Sequence, residues 1–270
     1  MNYQRIVTSL TICFAAILTL PAAIAAEAIV FDHNCIDETD SKISASQLSK
    51  IRSLNVYFGH QSVGWNLLDG LDALADKTGN KYKLNIMQNP TLKFYKDTRG
   101  LGHGEIGENG NPNSKIQDFA AKITKAPAYG ASLDAAMMKI CFVDIESGTN
   151  VAQLFNTYKT TLESLAKKFP SMKVVYCTCP LVADGDNSKR EQFNDLVRNY
   201  AKQSGKVLFD LADIESYSPQ GKPCLRGSQK SLCKTYSEDR EHPDSAAGKL
   251  RLARAWWSMM ARISESSLGI

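Results

Sequence analysis

The chain has 270 residues, of which 43% are apolar and 22% are charged, and its formal net charge is +4. This length predicts one large domain or, less favourably, two small ones, with the composition of an ordinary globular protein. Positive and negative residues are interspersed without a basic run, which argues against nucleic acid or an anionic membrane surface as a partner.

The first 26 residues differ in kind from the rest of the chain. A short segment containing Arg5 precedes an almost wholly apolar run over residues 6–20, and small residues follow as far as Ala26. This pattern predicts a secretory signal peptide over residues 1–26, cleaved after Ala25 or Ala26. The apolar run is shorter than the roughly 20 residues that span a membrane. We therefore expect an exported, periplasmic or extracellular protein that is not inserted in a membrane.

The remaining residues alternate between strand and helix patterns. Residues 27–50 are polar and are expected to be an irregular lead-in to a single domain over residues 51–270. Strands are predicted at 54–58, 82–87, 138–144, 172–179 and 206–211; helices are predicted around 62–75, 116–123, 151–166 and 188–204 and from about 244, and a glycine-rich loop over 99–113. Such alternation predicts a doubly wound α/β domain with a parallel sheet covered on both faces.

Six cysteines remain after the predicted cleavage. Cys224 and Cys233 flank a short polar loop, and in an oxidising compartment they are the best candidates for a disulfide. Cys141, Cys177 and Cys179 lie in apolar, strand-like runs and are expected to be buried. The four histidines have no zinc-ligand spacing, so no metal site is expected.

Residues 57–64 read Tyr-Phe-Gly-His-Gln-Ser-Val-Gly and place Ser62 between the first strand and its helix. A serine at a helix N-terminus can act as a nucleophile when a base is near, because backbone N–H groups there stabilise the resulting oxyanion. The alternative is that Ser62 serves only as the N-cap of the helix.

Asp239 and His242 lie three residues apart, in a loop before the last helix. In this arrangement the carboxylate can hold the imidazole Nδ1–H while Nε2 faces a serine. Ligands of parallel α/β sheets bind beyond the carboxyl ends of the strands. Ser62 follows the first predicted strand and the Asp239 loop follows the fifth, so the two motifs can meet there. The alternative is a surface loop with scattered charges.

These motifs resemble those of the SGNH/GDSL hydrolase superfamily over roughly residues 52–265. The resemblance implies a flavodoxin-like doubly wound three-layer sandwich with a mainly parallel five-stranded sheet. It also implies a serine esterase without a metal or organic cofactor. Ser62 would be the nucleophile, His242 the general base and Asp239 the residue that orients His242.

The serine block departs from the family pattern, since Gly-Asp-Ser is replaced by Gly59-His60-Gln61-Ser62. His60 is expected either to support the site from behind or to contact the substrate. The family also supplies an oxyanion donor from a glycine after its second strand. Here Gly107 and Gly110 are the candidate donors. The alternative is that they only belong to a mobile glycine-rich loop, which could act as a lid over the site.

A further family donor is an asparagine in a Gly-x-Asn sequence, which matches Gly148-Thr149-Asn150. Asn150 is equally well placed to be the N-cap of the helix that begins at Val151. Another alignment puts Asp144 directly after the third strand, where an ionised carboxylate would repel an oxyanion.

The expected function is hydrolysis of a small-molecule or polysaccharide ester, with carbohydrate deacetylation suggested by family analogy alone. Two alternatives remain open. The altered serine block would suit a non-catalytic binding protein, and an O-acetyltransferase would use the same three residues.

Overall fold

The computed structural model describes residues 27–266. The predicted signal peptide, residues 1–26, lies outside the described residues. No helix within 27–266 combines the length and the apolar composition that crossing a membrane would require.

Within residues 27–266, seven parallel strands form the central sheet, in the order β1-β7-β6-β5-β2-β4-β3. The strands are β1 Ile29–Phe31, β2 Asn55–His60, β3 Ile86–Gln88, β4 Gly100–Glu105, β5 Ala135–Met138, β6 Lys173–Cys177 and β7 Val207–Phe209. A separate antiparallel hairpin pairs β8 Leu225–Arg226 with β9 Gln229–Lys230. The Cys224–Cys233 disulfide joins the residues that flank this hairpin, which confirms the predicted pairing.

The predicted number of five strands is wrong. β1 and most of the first helix lie in the segment 27–50, which was expected to be irregular, and β4 lies in the expected glycine-rich loop. The third strand was predicted at 138–144 but lies at Ala135–Met138, and the predicted range instead contains a single 3-10 turn over Phe142–Asp144. The five central strands nevertheless follow the order β4-β2-β5-β6-β7, which is the flavodoxin-like order.

Helices cover both faces of the sheet, as the alternating pattern predicted. They are α1 Ala45–Arg52, α2 Val63–Lys77, α3 Leu92–Asp97, α4 Pro112–Thr124, α5 Pro127–Ala131, α6 Val151–Lys168, α7 Ser188–Gln203, α8 Leu211–Glu215 and α9 Ala246–Ser266. One buried apolar cluster joins α1, α2, α8 and α9 to the sheet, and a second joins α3 to α7 to the opposite face. The result is a three-layer sandwich.

The contact between α2 and α9 positions both halves of the predicted site. Ser62 immediately precedes α2, and His242 lies four residues before α9 begins. At Gly70 the two helices approach so closely that an added Cβ would lie 2.0 Å from the carbonyl oxygen of Lys249. The Lys249 side chain also forms an ion pair with Asp69 at 3.0 Å. The close approach therefore requires glycine at this position.

We expect Gly70→Ala to lower the free energy of unfolding by about 1–3 kcal/mol, because the added methyl group overpacks the α2–α9 contact. Helix propensity alone would favour alanine by about 1 kcal/mol. Urea denaturation measures the change. The matched control is Gly148→Ala, where an added Cβ meets nothing within 4 Å, and this variant should match the wild type. A Gly70→Ala protein as stable as the wild type would contradict the tight contact.

Candidate active site

Ser62 occupies a strained turn between β2 and α2. Its backbone has φ 50° and ψ −115°, a conformation that residues other than glycine rarely adopt. The hydroxyl makes no capping hydrogen bond to α2, although Ser62 stands at the N-cap position. Instead, Ser62 Oγ lies 2.5 Å from His242 Nε2. The alternative in which Ser62 merely caps the helix therefore does not fit the structure.

His242 is held by Asp239 on the side opposite Ser62. His242 Nδ1 lies 2.6 Å from Asp239 Oδ2, and Asp239 Oδ1 accepts the backbone N–H groups of Glu241 and His242 at 2.8 and 2.7 Å. A carboxylate on Nδ1 favours the tautomer in which Nδ1 carries the proton, so Nε2 is left as the acceptor facing Ser62. The Phe142 ring packs edge-on against the imidazole at 5.1 Å.

These contacts keep Asp239 ionised. Partial burial tends to raise the pKa of Asp239, but hydrogen bonds from the Glu241 and His242 N–H groups and from the His242 ring lower it to about 2. A negative charge is therefore present beside His242 Nδ1 at neutral pH.

His60 lies behind this turn and is fully buried. Its Nε2 lies 3.0 Å from His103 Nδ1, and the Trp65 ring packs edge-on against both imidazoles. Burial lowers the pKa of His60 to about 2, with smaller contributions from His103 and Lys139. His60 is therefore a neutral core residue that supports the turn, and the expectation that it could contact substrate does not fit its burial.

The loop after β4 lies next to the nucleophile. Gln61, which precedes Ser62, donates its side-chain amide to the carbonyl oxygens of Ile106 and Gly107 at 2.9 and 2.6 Å. However, the Gly107 N–H donates to Asp118 at 3.0 Å, and the Gly110 N–H donates to Asp144 at 2.8 Å. Each predicted glycine donor thus already has a carboxylate acceptor in this structure.

Asn150 caps α6. Its Oδ1 accepts the backbone N–H of Gln153 at 3.1 Å, and the residue is exposed. The helix-capping alternative therefore explains Asn150 fully.

Asp144 is buried behind the site and its charge is compensated. Lys115 Nζ lies 2.6 Å from Asp144 Oδ2, and neither side chain is exposed to solvent. The same oxygen accepts the N–H of Cys141 at 2.7 Å. The repulsion expected from an ionised Asp144 is reduced by this pairing.

Asn109 was missed by sequence reasoning. Its Oδ1 accepts a hydrogen bond from the buried Lys115 ammonium at 2.7 Å. An ammonium can only donate, so it fixes Oδ1 toward Lys115 and turns the Nδ2 donors away. A signal was present, because Gly107-Glu108-Asn109 has the same Gly-x-Asn spacing that was sought at 148–150.

Among residues 27–266, one group could offer ligands to a metal ion: Asp32, His33 and Asp213, whose ligand atoms lie within 4.8 Å of one another. Asp213 already accepts hydrogen bonds from the His33 ring and, at 3.0 Å, from Lys230 Nζ. The hydrogen bonds within this group are therefore those of a salt-bridged cluster, and they do not include Ser62, His242 or Asp239.

No protein-family model and no curated protein matches this sequence. Its structure is similar to an acetyl xylan esterase, at 18% identity over 76% of this chain and 98% of that one, with a TM-score of 0.46. It is also similar to a carbohydrate esterase family 3 protein from Talaromyces cellulolyticus, at 12% identity over 79% and 99%, with a TM-score of 0.49. A proposed acylhydrolase from Bacteroides fragilis matches at 14% identity over 86% and 97%, with a TM-score of 0.48. Since all three TM-scores are below 0.5, the function has to be inferred from the site.

We expect the stability that Asp239 contributes to depend on pH. Its pKa is about 2 in the folded protein against an ordinary value of 3.8, so the unfolded chain takes up the proton first as the pH falls. The contribution is complete above about pH 4 and is lost toward pH 2. Urea denaturation should therefore show a stability difference between wild type and Asp239→Asn that shrinks over this interval. A difference that stays constant from pH 5 to pH 2 would contradict the assigned contacts.

Proposed function

We propose that this protein is a serine ester hydrolase of the SGNH type. The observation that supports the proposal is the continuous relay from Ser62 Oγ to His242 Nε2 at 2.5 Å and from His242 Nδ1 to Asp239 at 2.6 Å. A nucleophile, a base and a carboxylate that orients the base are the groups needed for acyl transfer.

In the proposed mechanism, Ser62 Oγ attacks the ester carbonyl while His242 Nε2 takes the hydroxyl proton. Asp239 stabilises the resulting imidazolium. His242 then returns the proton to the departing alcohol, which leaves an acyl group on Ser62. Water, activated by His242 in the same way, releases the acid and restores the hydroxyl.

The oxyanion would be bound by the Ser62 N–H and by Asn109 Nδ2. Asn109 suits this role because the buried Lys115 fixes its carboxamide, so the donor does not have to reorient during the reaction. The hydrogen bonds from the Gln61 side chain to Ile106 and Gly107 hold this loop next to the nucleophile. Asn150, whose oxygen caps α6, is not part of this proposal.

The substrate class is proposed as a carbohydrate ester, and the protein is proposed to be exported through its predicted signal peptide. Support for export comes from the Cys224–Cys233 disulfide, since disulfides persist in oxidising compartments. Support for a sugar ester is limited to the family resemblance.

Ser62→Ala should lower kcat on p-nitrophenyl acetate by at least about 10³-fold, because no other group replaces the nucleophile. It should also abolish covalent labelling by a fluorophosphonate. The control is Ser228→Ala, at an exposed serine of the β8–β9 turn, which should keep both properties.

Two other outcomes would redirect the assignment. A wild-type protein that neither labels nor turns over would indicate a binding protein. Acetate transferred to an added sugar, in place of acetate released to water, would indicate a transferase.

Asn109→Ala and its companion Asn109→Asp test the oxyanion donor. Aspartate keeps the acceptor for Lys115 but removes the Nδ2 donors, so both variants should lose about 10²–10³-fold in kcat. Asn150→Ala is the matched control, and it should lose about 1 kcal/mol of stability through the missing cap while keeping kcat. Wild-type kcat in Asn109→Ala would remove this residue from the oxyanion site.

A further inference from the structure

A buried lysine and a buried cysteine meet immediately after β5. Lys139 Nζ lies 2.7 Å from Cys141 Sγ, and the two residues are 1% and 0% exposed. They are separated in sequence only by Ile140. The proposed ester hydrolysis uses neither of them.

The separation is short for a hydrogen bond to sulfur. N–H···O bonds span about 2.7–3.2 Å, and sulfur is larger than oxygen, so an ordinary N–H···S contact is longer. The distance instead suits nitrogen and sulfur that are each singly bonded to one shared oxygen atom. The other buried lysine behind the site, Lys115, behaves differently, because its ammonium is paired with the carboxylate of Asp144.

A small cavity borders Lys139 on the side of α2 and β5. It has a volume of about 10 Å³ and is lined by Lys139, Cys177 and apolar side chains that include Phe58, Leu67 and Met137. That is roughly the volume one water-sized sphere requires, and an apolar lining disfavours water itself. The apolar lining suits dioxygen, a small apolar molecule, better than water.

We propose that Lys139 and Cys141 form a redox site in which dioxygen links Nζ to Sγ through one oxygen atom. The S–H bond and one N–H bond of the amine break, and an S–O and an O–N bond form. The second oxygen atom leaves as water with the two hydrogens released. Sulfur and nitrogen are oxidised by four electrons in total, and dioxygen is reduced by four. Reduction by two equivalents of a dithiol, each of which becomes a disulfide, supplies the four electrons and four hydrogens that convert the bridge to the thiol, the amine and one water.

The other buried cysteines are not suited to this reaction. Cys177 Sγ donates to the Thr178 carbonyl oxygen and Cys179 Sγ to that of Cys141, both at 3.4 Å. Within the described residues, Cys141 is the cysteine that has an amine on its sulfur.

The bridge would lie directly behind the nucleophile. Cys141 Sγ is 3.9 Å from the carbonyl oxygen of Gln61 and donates to it, and Gln61 precedes Ser62. Formation of the bridge removes the S–H that makes this contact. The redox state of the pair should therefore affect the Ser62 turn. The resulting change in activity rests on the proposed function, but formation of the bridge does not.

The test compares protein purified in air with protein purified anaerobically in dithiothreitol. Intact mass spectrometry of the aerobic sample should show a gain of one oxygen and a loss of two hydrogens, reversed by dithiothreitol. Trypsin requires a free lysine, so the bridged chain should give the uncut peptide 126–159. The reduced chain should give peptides 126–139 and 140–159.

Cys141→Ser should abolish both signatures, and the matched control Cys179→Ala should keep them. Air-purified wild type without the uncut peptide, or with a mass change that survives in Cys141→Ser, would overturn the bridge. If the bridge forms but reduction leaves kcat on p-nitrophenyl acetate unchanged, its link to Ser62 is rejected. If the bridge forms in air and is removed by dithiothreitol, but neither form turns over p-nitrophenyl acetate, the result counts against the proposed hydrolase function and leaves the bridge standing.

Discussion

Helices α2 and α9 run so close together that Gly70 has room for no side chain beyond hydrogen, with the Lys249 carbonyl 2.0 Å from where a Cβ would lie. Ser62 and His242 are 180 positions apart in the sequence, yet each lies within a few residues of the start of one of these helices. The approach of the two helices thus fixes the distance between nucleophile and base. A small shift in this packing would be transmitted directly to that contact.

The turn that holds Ser62 is itself strained, since a non-glycine residue with φ 50° costs on the order of 1–3 kcal/mol. The surrounding residues offset this cost. His60, the last residue of β2, is buried against Gly64 in the first turn of α2, and the Gln61 side chain donates to the carbonyl oxygens of Ile106 and Gly107. With this conformation imposed, the hydroxyl faces His242 and does not cap α2. Strain and buried packing together explain why the helix begins without a capping side chain.

The sequence allowed the five longest described helices, strands β2, β6 and β7, and the meeting of Ser62 with His242 to be predicted. β4 was missed because its sequence, Gly-Leu-Gly-His-Gly-Glu, has the composition of a loop. Its glycines are needed for packing: a Cβ at Gly102 would lie 2.1 Å from the Tyr95 hydroxyl. β1 was missed because a strand of only three residues is too short to show alternation. Asn109 escaped notice because its value comes from Lys115, a contact that spacing alone does not reveal.

Removing Lys115 or Asp144, which lie buried behind the site, would have a larger effect on stability than removing Asp239. Asp239 is partly exposed, so water can replace some of its interactions. Lys115 and Asp144 are fully buried, and losing either one leaves the other as an uncompensated charge in a medium that cannot solvate it. The pair also holds the Gly110 N–H and the Asn109 side chain. Because these bonds reach the loop after β4 from beneath, a buried ion pair that never touches substrate determines where the proposed oxyanion donor points.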